Sequence, residues 1–595
     1  MIDKTSAPGR INPVLVLAVF GIAVVTLVVR AVVGAAHTPL LADTDDAMRM
    51  VVVRDLINGQ NWFDIVQHRL NAPFGAEVHW SRLVDLPIAT IITLARPFSF
   101  GHAEQVAAYV WPLLLLLVLL WLSARLSLRL VGQQGVLPAL ILPVLSPAVT
   151  AEFTPGRIDH HSVQIILTLA IAWACVEAVK RDHFAVLAGV LCATALAIGT
   201  ESVPAVITAI AAMALLWAIR ADQGKNLRGF GISFALAGLV NLAIAVPPWR
   251  WFVPACDAIS IFYVGGAVLV GVLFTALSFM PNAKTAHGRK FLGLAVAGIV
   301  GVALTLMIDP QCISGPYAAV DPWLVSHWLD AISEAKPWWD SIWELPAYTI
   351  AVSVPGFAGL IIIAVRAIRS RHDRAEWLVL LGFLAMATLV MALQVRGARL
   401  VTMPAIPAAA WLIVTLRKRY LNSAQLADAA LLVGGWLTFS GIIMVVLVTL
   451  ITGGQITPSN ASQTNQPDRS ACLLPDAFDA LKKLPAQPLM NPIDLGSHIL
   501  LNTAHSVVAA PYHRNTEGLL DAFHFFNQPI GSVRDILDKR GIGLVVTCPA
   551  LPEMAGLPDA APDSFVKLAP KGQLPDWLKP VSTSGPLNIY AVAPR

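Results

Sequence analysis

Thirteen apolar stretches, each able to cross roughly 30 Å of hydrocarbon at about 1.5 Å per helical residue, divide this chain. They fall near 12–35, 106–130, 135–150, 161–179, 184–200, 203–219, 229–247, 257–280, 290–308, 346–367, 376–395, 400–416 and 428–452, and polar residues gather in the intervals. The pattern predicts a mainly α, polytopic membrane protein with about 13 transmembrane helices. One more apolar run, Leu86 to Phe100, is short and carries Pro87, Arg96 and Pro97. It reads as an interfacial or re-entrant helix rather than a span.

Composition agrees. Of 595 residues 56% are hydrophobic and 13% charged, and the mean hydropathy is +0.68. A water-soluble protein of this size has no means of hiding so much apolar surface. The net charge of +4 says little, because placement matters more than sum. No stretch resembles a nucleic-acid-binding segment.

Placement of the basic residues sets the orientation. With Lys4 and Arg10 inside, the later inner loops carry Arg125 and Arg129; Lys180 and Arg181; Arg220, Lys225 and Arg228; Lys284, Arg289 and Lys290; Arg366 to Arg374; and Arg417 to Arg419. Every inner loop is basic, as the positive-inside rule requires, and counting 86–100 as a span inverts all of them. The expectation is a multi-pass plasma (inner) membrane protein with a cytoplasmic N-terminus and an extracytoplasmic C-terminal tail. The first segment, ending near Ala35-Ala36, reads as an uncleaved span because it is long for a signal sequence.

Residues 1–452 thus form the membrane domain, 453–469 a polar linker rich in Pro, Asn, Ser and Gln, and 470–595 a small α/β domain. In the tail the pattern predicts helices over 475–483, 516–526 and 532–540, and β-like runs at 499–501, 506–510, 543–547 and 587–592. Cys175 and Cys192 sit inside spans. Cys256 and Cys312 lie in outer loops and Cys472 and Cys548 in the tail, so an oxidising exterior permits the pairs 256–312 and 472–548.

Three acidic patches stand at outer span ends: Asp43-Thr44-Asp45-Asp46, Gly156 to His161, and Ile332-Ser333-Glu334. Carboxylates at a membrane boundary are costly to desolvate, so three on one face point to a cation or a reacting group between them. In the first, one reading has Asp43 or Asp45 cap a helix while Asp46 pairs with Arg49. The other makes Asp45 a hard oxygen ligand for Mg²⁺ or Mn²⁺, or a base. In the second, Asp159 caps a helix, or Asp159 and His161 supply oxygen and nitrogen to one borderline metal ion, with Glu152 a spare candidate. The third patch lies in a long loop, 309–345, whose tryptophans read as interface anchors but whose Glu334 does not. Arg396 and Arg399 either snorkel to headgroups or capture a phosphate. Glu201 lines an outer cavity or marks a span end.

This order of elements resembles the catalytic subunit of oligosaccharyltransferase and its single-subunit bacterial and archaeal relatives, members of the C-type (GT-C) membrane glycosyltransferases. Asp45 with Arg54-Asp55 looks like the family's first-loop pattern, and Gly156 with Asp159 like the second, where His161 replaces a second carboxylate. Ala331-Ile332-Ser333-Glu334 is similar to the fifth-loop element, and Arg399-Leu400 to the external arginine. The outer domain's Trp-Trp-Asp-Tyr-Gly acceptor motif is absent; Trp338-Trp339-Asp340 belongs to the fifth loop.

The resemblance implies a membrane glycosyltransferase that moves a sugar or glycan from a polyprenyl-(di)phosphate donor to an extracytoplasmic protein, glycan or lipid acceptor, inverting the sugar centre. Asp45, Asp159 and His161 are the expected ligands of a divalent metal (Mn or Mg), and Asp45 and Glu334 the expected catalytic groups. Arg399 and Arg396 are expected at the donor phosphate. In the tail, His513 and Arg514 lie in a loop between a strand and a helix and are candidate acceptor contacts. The rival reading is a multi-span transporter of a lipid-linked or small polar substrate, which predicts ionisable groups deep within several spans.

Overall fold

In a computed structural model of the protein, described over residues 9–220, 222–281, 287–452, 469–583 and 585–595, every predicted apolar stretch is helical. Among the described residues ten helices are long and apolar enough to cross a membrane, and counting each of two bent pairs as one span brings the number to twelve. The remaining stretch, His183–Ile198, is short at 16 residues. It still runs between the two ends of the bundle: Lys180 before it pairs with Glu376, and Glu201 after it meets His160. The helix Pro13–Gly34 packs on one side only, turning Val16, Ala23 and Leu27 inward and leaving Val14, Ile22, Val25 and Val29 bare, as a helix at the rim of a membrane bundle does.

At the axis stands His161–Ala178, buried almost throughout from Gln164 to its end. Its start carries the second acidic patch, so the most tightly held helix positions that motif. At the far end Glu177 meets Arg129, which also reaches Glu376 at 3.0 Å. Several of the basic loops therefore gather at one end and the three acidic patches at the other.

Two stretches that read as single spans are broken. Gln133–Val144 and Pro147–Phe153 meet at 65°, and Leu426–Phe439 and Gly441–Thr452 at 97°. The breaks pack on each other: a Cβ on Gly441 would lie 2.6 Å from Pro147, and the Ile442 N–H donates to the Leu145 carbonyl at 2.9 Å. Proline breaks one ladder, and glycine lets the other chain approach closely enough to satisfy a freed carbonyl. The short run near 86–100 is a helix that begins earlier, Arg82–Ala95. It buries Val84, Ile88 and Ile92 and leaves Leu86 and Leu94 bare, as an interfacial helix does.

Residues 469–595 build a five-stranded mixed sheet from β3 (Pro488–Met490), β4 (Ser506–Val507), β5 (Leu544–Thr547), β6 (Leu578–Ser582) and β7 (Asn588–Val592). The order is β4-β3-β5-β7-β6, parallel across β4, β3 and β5 and antiparallel beyond. Strands 488–490 and 578–582 escaped the sequence pattern. The run 499–501, read as a strand, lies in the helix Gly496–Asn502. A short apolar run fits either element, and packing of Ile499 and Leu500 under the sheet decided this one. The linker 453–469 lies outside the described residues apart from Arg469. Cys256–Cys312 and Cys472–Cys548 are both disulfide-bonded.

The first loop fastens this sheet to the membrane bundle. It forms a hairpin of β1 (Val66–Gln67) and β2 (Ala76–Glu77). Between them the Arg69 carbonyl accepts from Val507 at 2.8 Å, and Ala72 N–H donates to the Val507 carbonyl at 3.0 Å, covering the open edge of β4. Buried Arg540 clamps the same hairpin, donating to the Ala72 carbonyl at 2.8 Å and pairing with Asp521 at 2.6 Å. Removing one partner of a buried pair strands the other. Arg540→Ala is therefore expected to lower stability by about 3 kcal/mol, read by thermal unfolding of the purified protein. An unchanged melting temperature would show the hairpin to be held elsewhere.

Candidate active site

The first and second acidic patches are stitched together by one carboxylate. Asp43 caps the helix Thr44–Ile57 by accepting from the Asp45 N–H at 2.9 Å, which puts Asp45 and Asp46 in its first turn. Asp46 then accepts the N–H groups of Ile158 at 2.7 Å and Asp159 at 2.9 Å and pairs with Arg157 at 2.8 Å. Gly156 makes the approach possible: its φ is +95°, and a Cβ there would lie 1.9 Å from the Leu40 carbonyl oxygen.

Arg49 does not pair with Asp46, as one sequence reading had it. Its fully buried guanidinium bridges Asp85 at 2.8 Å and Asp159 at 2.9 Å, with Trp80 4.3 Å away. The reason is that Asp46 is already engaged by two backbone donors and Arg157. Asp159 gives Oδ1 to Arg49 and His160. Its Oδ2 lies 3.2 Å from His161 Nε2 and makes no hydrogen bond. Burial opposes ionisation of Asp159, but His160, His161 and Arg49 hold it well below the ordinary carboxylate range. His160, although buried, is raised to about 10 by Asp159 and Glu201.

Asp159, His160 and His161 place ligand atoms within 4.8 Å of one another. Asp45 stands outside this cluster, and His160, which the sequence reading passed over, stands in it. Among the described residues the Asp45 carboxylate makes no hydrogen bond. Burial, with Asp159 and Asp43 nearby, pushes its pKa well above the ordinary value.

A cavity of about 760 Å³ opens over this cluster, between the bundle and the α/β domain. Asp45, His161, Glu334, Arg396, Arg399 and His513 all line it. The sequence thus named six groups that the fold brings to one space, with Asp159 buried behind them. Glu334 is exposed, and its loop is pinned where the Lys336 carbonyl accepts from Val395 at 2.9 Å, beside Arg396. Arg399 pairs with Glu152 at 3.2 Å, and Glu152 with Arg157 at 3.1 Å, so Glu152 is committed to arginines. Arg396 makes one hydrogen bond, to Gln394. Arg54 and Asp55 face away: Arg54 pairs with Glu104 and Asp55 accepts from Gln67.

Arg514 sits off this cavity. Its guanidinium forks onto both oxygens of Asp257 at 2.7 Å and reaches Glu77 at 2.7 Å, and His513 joins Asp257 at 2.7 Å. The span expected from 257 begins at Ile261, which leaves Asp257 in the loop. This latch ties the α/β domain to two membrane loops. Burial would raise the Asp257 carboxyl, but bonds from His513 and Arg514 hold it far below the ordinary range. Such a depressed carboxylate contributes stability above its unfolded pKa of about 4, lost as pH falls further. Asp257→Asn should therefore lower the melting temperature at pH 7, and the deficit should shrink once pH drops below about 4. A deficit constant with pH would mean that the ion pair is not its source.

No protein-family model matches this chain, and no curated protein matches it. Solved structures do. The archaeal oligosaccharyltransferase AglB from Archaeoglobus fulgidus, in complex with an inhibitory peptide and a dolichol-phosphate, superposes with a TM-score of 0.63 at 14% identity, over 97% of this chain and 74% of that one. The apo form gives 0.62 at 15% identity, over 91% and 70%. A complex of the Archaeoglobus fulgidus enzyme with Zn and sulfate gives 0.58 at 14% identity, over 95% and 73%. At such identity the likeness is one of fold: this chain shares the architecture of that archaeal oligosaccharyltransferase, a polytopic helical bundle with a small C-terminal domain over one end.

Proposed function

We propose that this protein is a membrane glycosyltransferase that transfers a sugar from a polyprenyl-(di)phosphate donor to an acceptor outside the membrane. The observation that carries the reading is the cavity between bundle and domain, with Asp45 and His161 alongside Arg399 and Glu334. The archaeal neighbours, one with dolichol-phosphate and one with Zn and sulfate, support the same class. The basic far-end loops support an extracytoplasmic site, as do two disulfides near the cavity end, since such bonds persist in oxidising compartments.

The residues present fit a divalent cation. Asp159 Oδ2 and His161 Nδ1 are buried without a hydrogen bond, and Asp45 and Asp159 crowd like charges. Asp159 and His161, with Asp45 at the cavity wall, would hold Mn²⁺ or Mg²⁺; oxygen with imidazole suits the former. Bound there, the ion supplies positive charge against the phosphate as it leaves.

The chain's own groups do the rest. Arg399, oriented by Glu152, offers a fork to the donor phosphate, and Arg396 stands by it. Asp45 or Glu334 accepts the proton of the acceptor hydroxyl or amide as its oxygen or nitrogen bonds to the anomeric carbon. The bond from that carbon to the phosphate oxygen breaks on the opposite face, its electron pair leaves with the polyprenyl (di)phosphate, and the sugar centre inverts. Buried Asp159, through its pair with Arg49, holds the first and second loops in register.

Asp45→Ala is expected to cut transfer roughly 100-fold or more while the protein still inserts and folds, Asp159→Ala to lose transfer and also stability because it strands buried Arg49, and His161→Asp to retain activity with altered metal preference. Full activity of the wild type in chelator would remove the metal from the mechanism. For the donor, Arg399→Ala should raise the KM for the lipid-linked sugar more than Arg396→Ala, because a semi-buried charge-assisted pair is worth more than one at a rim. Equal, negligible effects would return both arginines to headgroup snorkelling.

A further inference from the structure

Beside the large cavity lies a chamber of about 120 Å³. The two meet along a seam formed by His79, Trp80, His160, Glu201, Tyr317, Arg396 and His513. The chamber's floor is apolar, with Ala197 from the helix His183–Ile198 and Val246 just past the helix Gly224–Ala245. Its far wall is formed by Asp257 and Arg514 of the latch, joined to the seam by His513, with Cys256–Cys312 securing the loop that carries Asp257.

The polar groups of this chamber describe its ligand. Charges on the far wall are already neutralised, since Asp257 is spent on Arg514 and His513, and Glu77 on Arg514 and Arg250. His79 makes no hydrogen bond among the described residues, and burial, with His513 beside it, pushes its pKa down to about 3. It is a neutral ring with a free donor and a free acceptor. Glu201 accepts from Gln164 at 2.6 Å and keeps a partly exposed carboxylate on the seam, and Arg396 offers donors. An apolar floor under scattered hydrogen-bonding groups, uncharged or compensated apart from Arg396 on the seam, suits a neutral polyol with carbon faces, which is a sugar ring.

Size then limits the number of rings. A cavity of about 150 Å³ accommodates one benzene-sized ring, so a chamber of about 120 Å³ is on the scale of a single furanose or pyranose. The neighbouring cavity is about six times larger, which leaves room there for the donor phosphate at Arg399 and for the acceptor. We propose that this chamber binds the transferred sugar, and that the donor carries one ring rather than an oligosaccharide. The proposal rests on the glycosyl-transfer reading and narrows its substrate.

The test uses the full chain in lipid nanodiscs, with binding followed by native mass spectrometry. Probes are undecaprenyl phosphate alone, and the same lipid carrying arabinose, glucose or mannose, or the corresponding disaccharides. At least one single-sugar lipid should bind about tenfold tighter than undecaprenyl phosphate, and its disaccharide counterpart should lose that gain. Ala258→Phe and, separately, Ala197→Leu, which fill the chamber, should erase the gain yet leave undecaprenyl phosphate binding within about twofold of wild type. Disaccharides bound as tightly as single sugars would overturn the proposal. So would an equal loss of undecaprenyl phosphate binding in both variants, which would assign the chamber to lipid. A wild type that fails to bind undecaprenyl phosphate at all would overturn the glycosyl-transfer reading along with it.

Discussion

The architecture depends on a guanidinium buried where three segments meet. Arg49, with no exposed surface, links the first-loop helix to the interfacial helix through Asp85 and to the head of the central helix through Asp159. Burying such a charge costs several kcal/mol, which good geometry to two carboxylates offsets. The arrangement leaves little freedom. If Arg49 moved, Asp85 would keep only Arg82 and Asp159 only its two neighbouring histidines, and the ties between the three segments would be lost. Asp46 fixes the same junction from the other side through Arg157 and two backbone N–H groups.

From that junction the rest of the site follows outward. The central helix presents Asp159, His160 and His161 at its head, and Arg157 and Glu152 carry the charge network on to Arg399. The α/β domain closes the space from above, with Tyr512 donating to the Thr44 carbonyl at 3.0 Å and Arg514 latched to Asp257. The cavity walls therefore come from segments far apart in the chain, each held by buried polar contacts rather than by apolar packing alone. Polar contacts are directional, which suits a site whose groups must hold fixed angles to a reacting atom.

Bundle composition was legible because span length and apolarity are imposed by the bilayer, which acts on each segment alone. Five of the proposed site residues, Asp45, His161, Glu334, Arg396 and Arg399, were legible as candidates for a related reason: a charged group at a span end is costly, so its presence already argues for a use. Less was legible in the α/β domain. Strands of two to five residues leave almost no periodicity, and the 499–501 run took its state from the sheet above it. The two broken spans were also hidden, since Pro147 and Gly441 each have innocuous readings until their contact is known.

The sequence by itself determined which segments enter the membrane, which charges stand at their ends, and that three acidic patches belong to one side. These are properties of single segments meeting a solvent. Tertiary structure alone decided the pairing: that Arg49 serves Asp85 and Asp159 while Asp46 takes Arg157, that His160 joins the cluster while Asp45 stands outside it, and that Arg514 is a latch. Each of those choices is a competition among several nearby charges for a few partners. The outcome is set by distances and burial that exist only once the segments are packed.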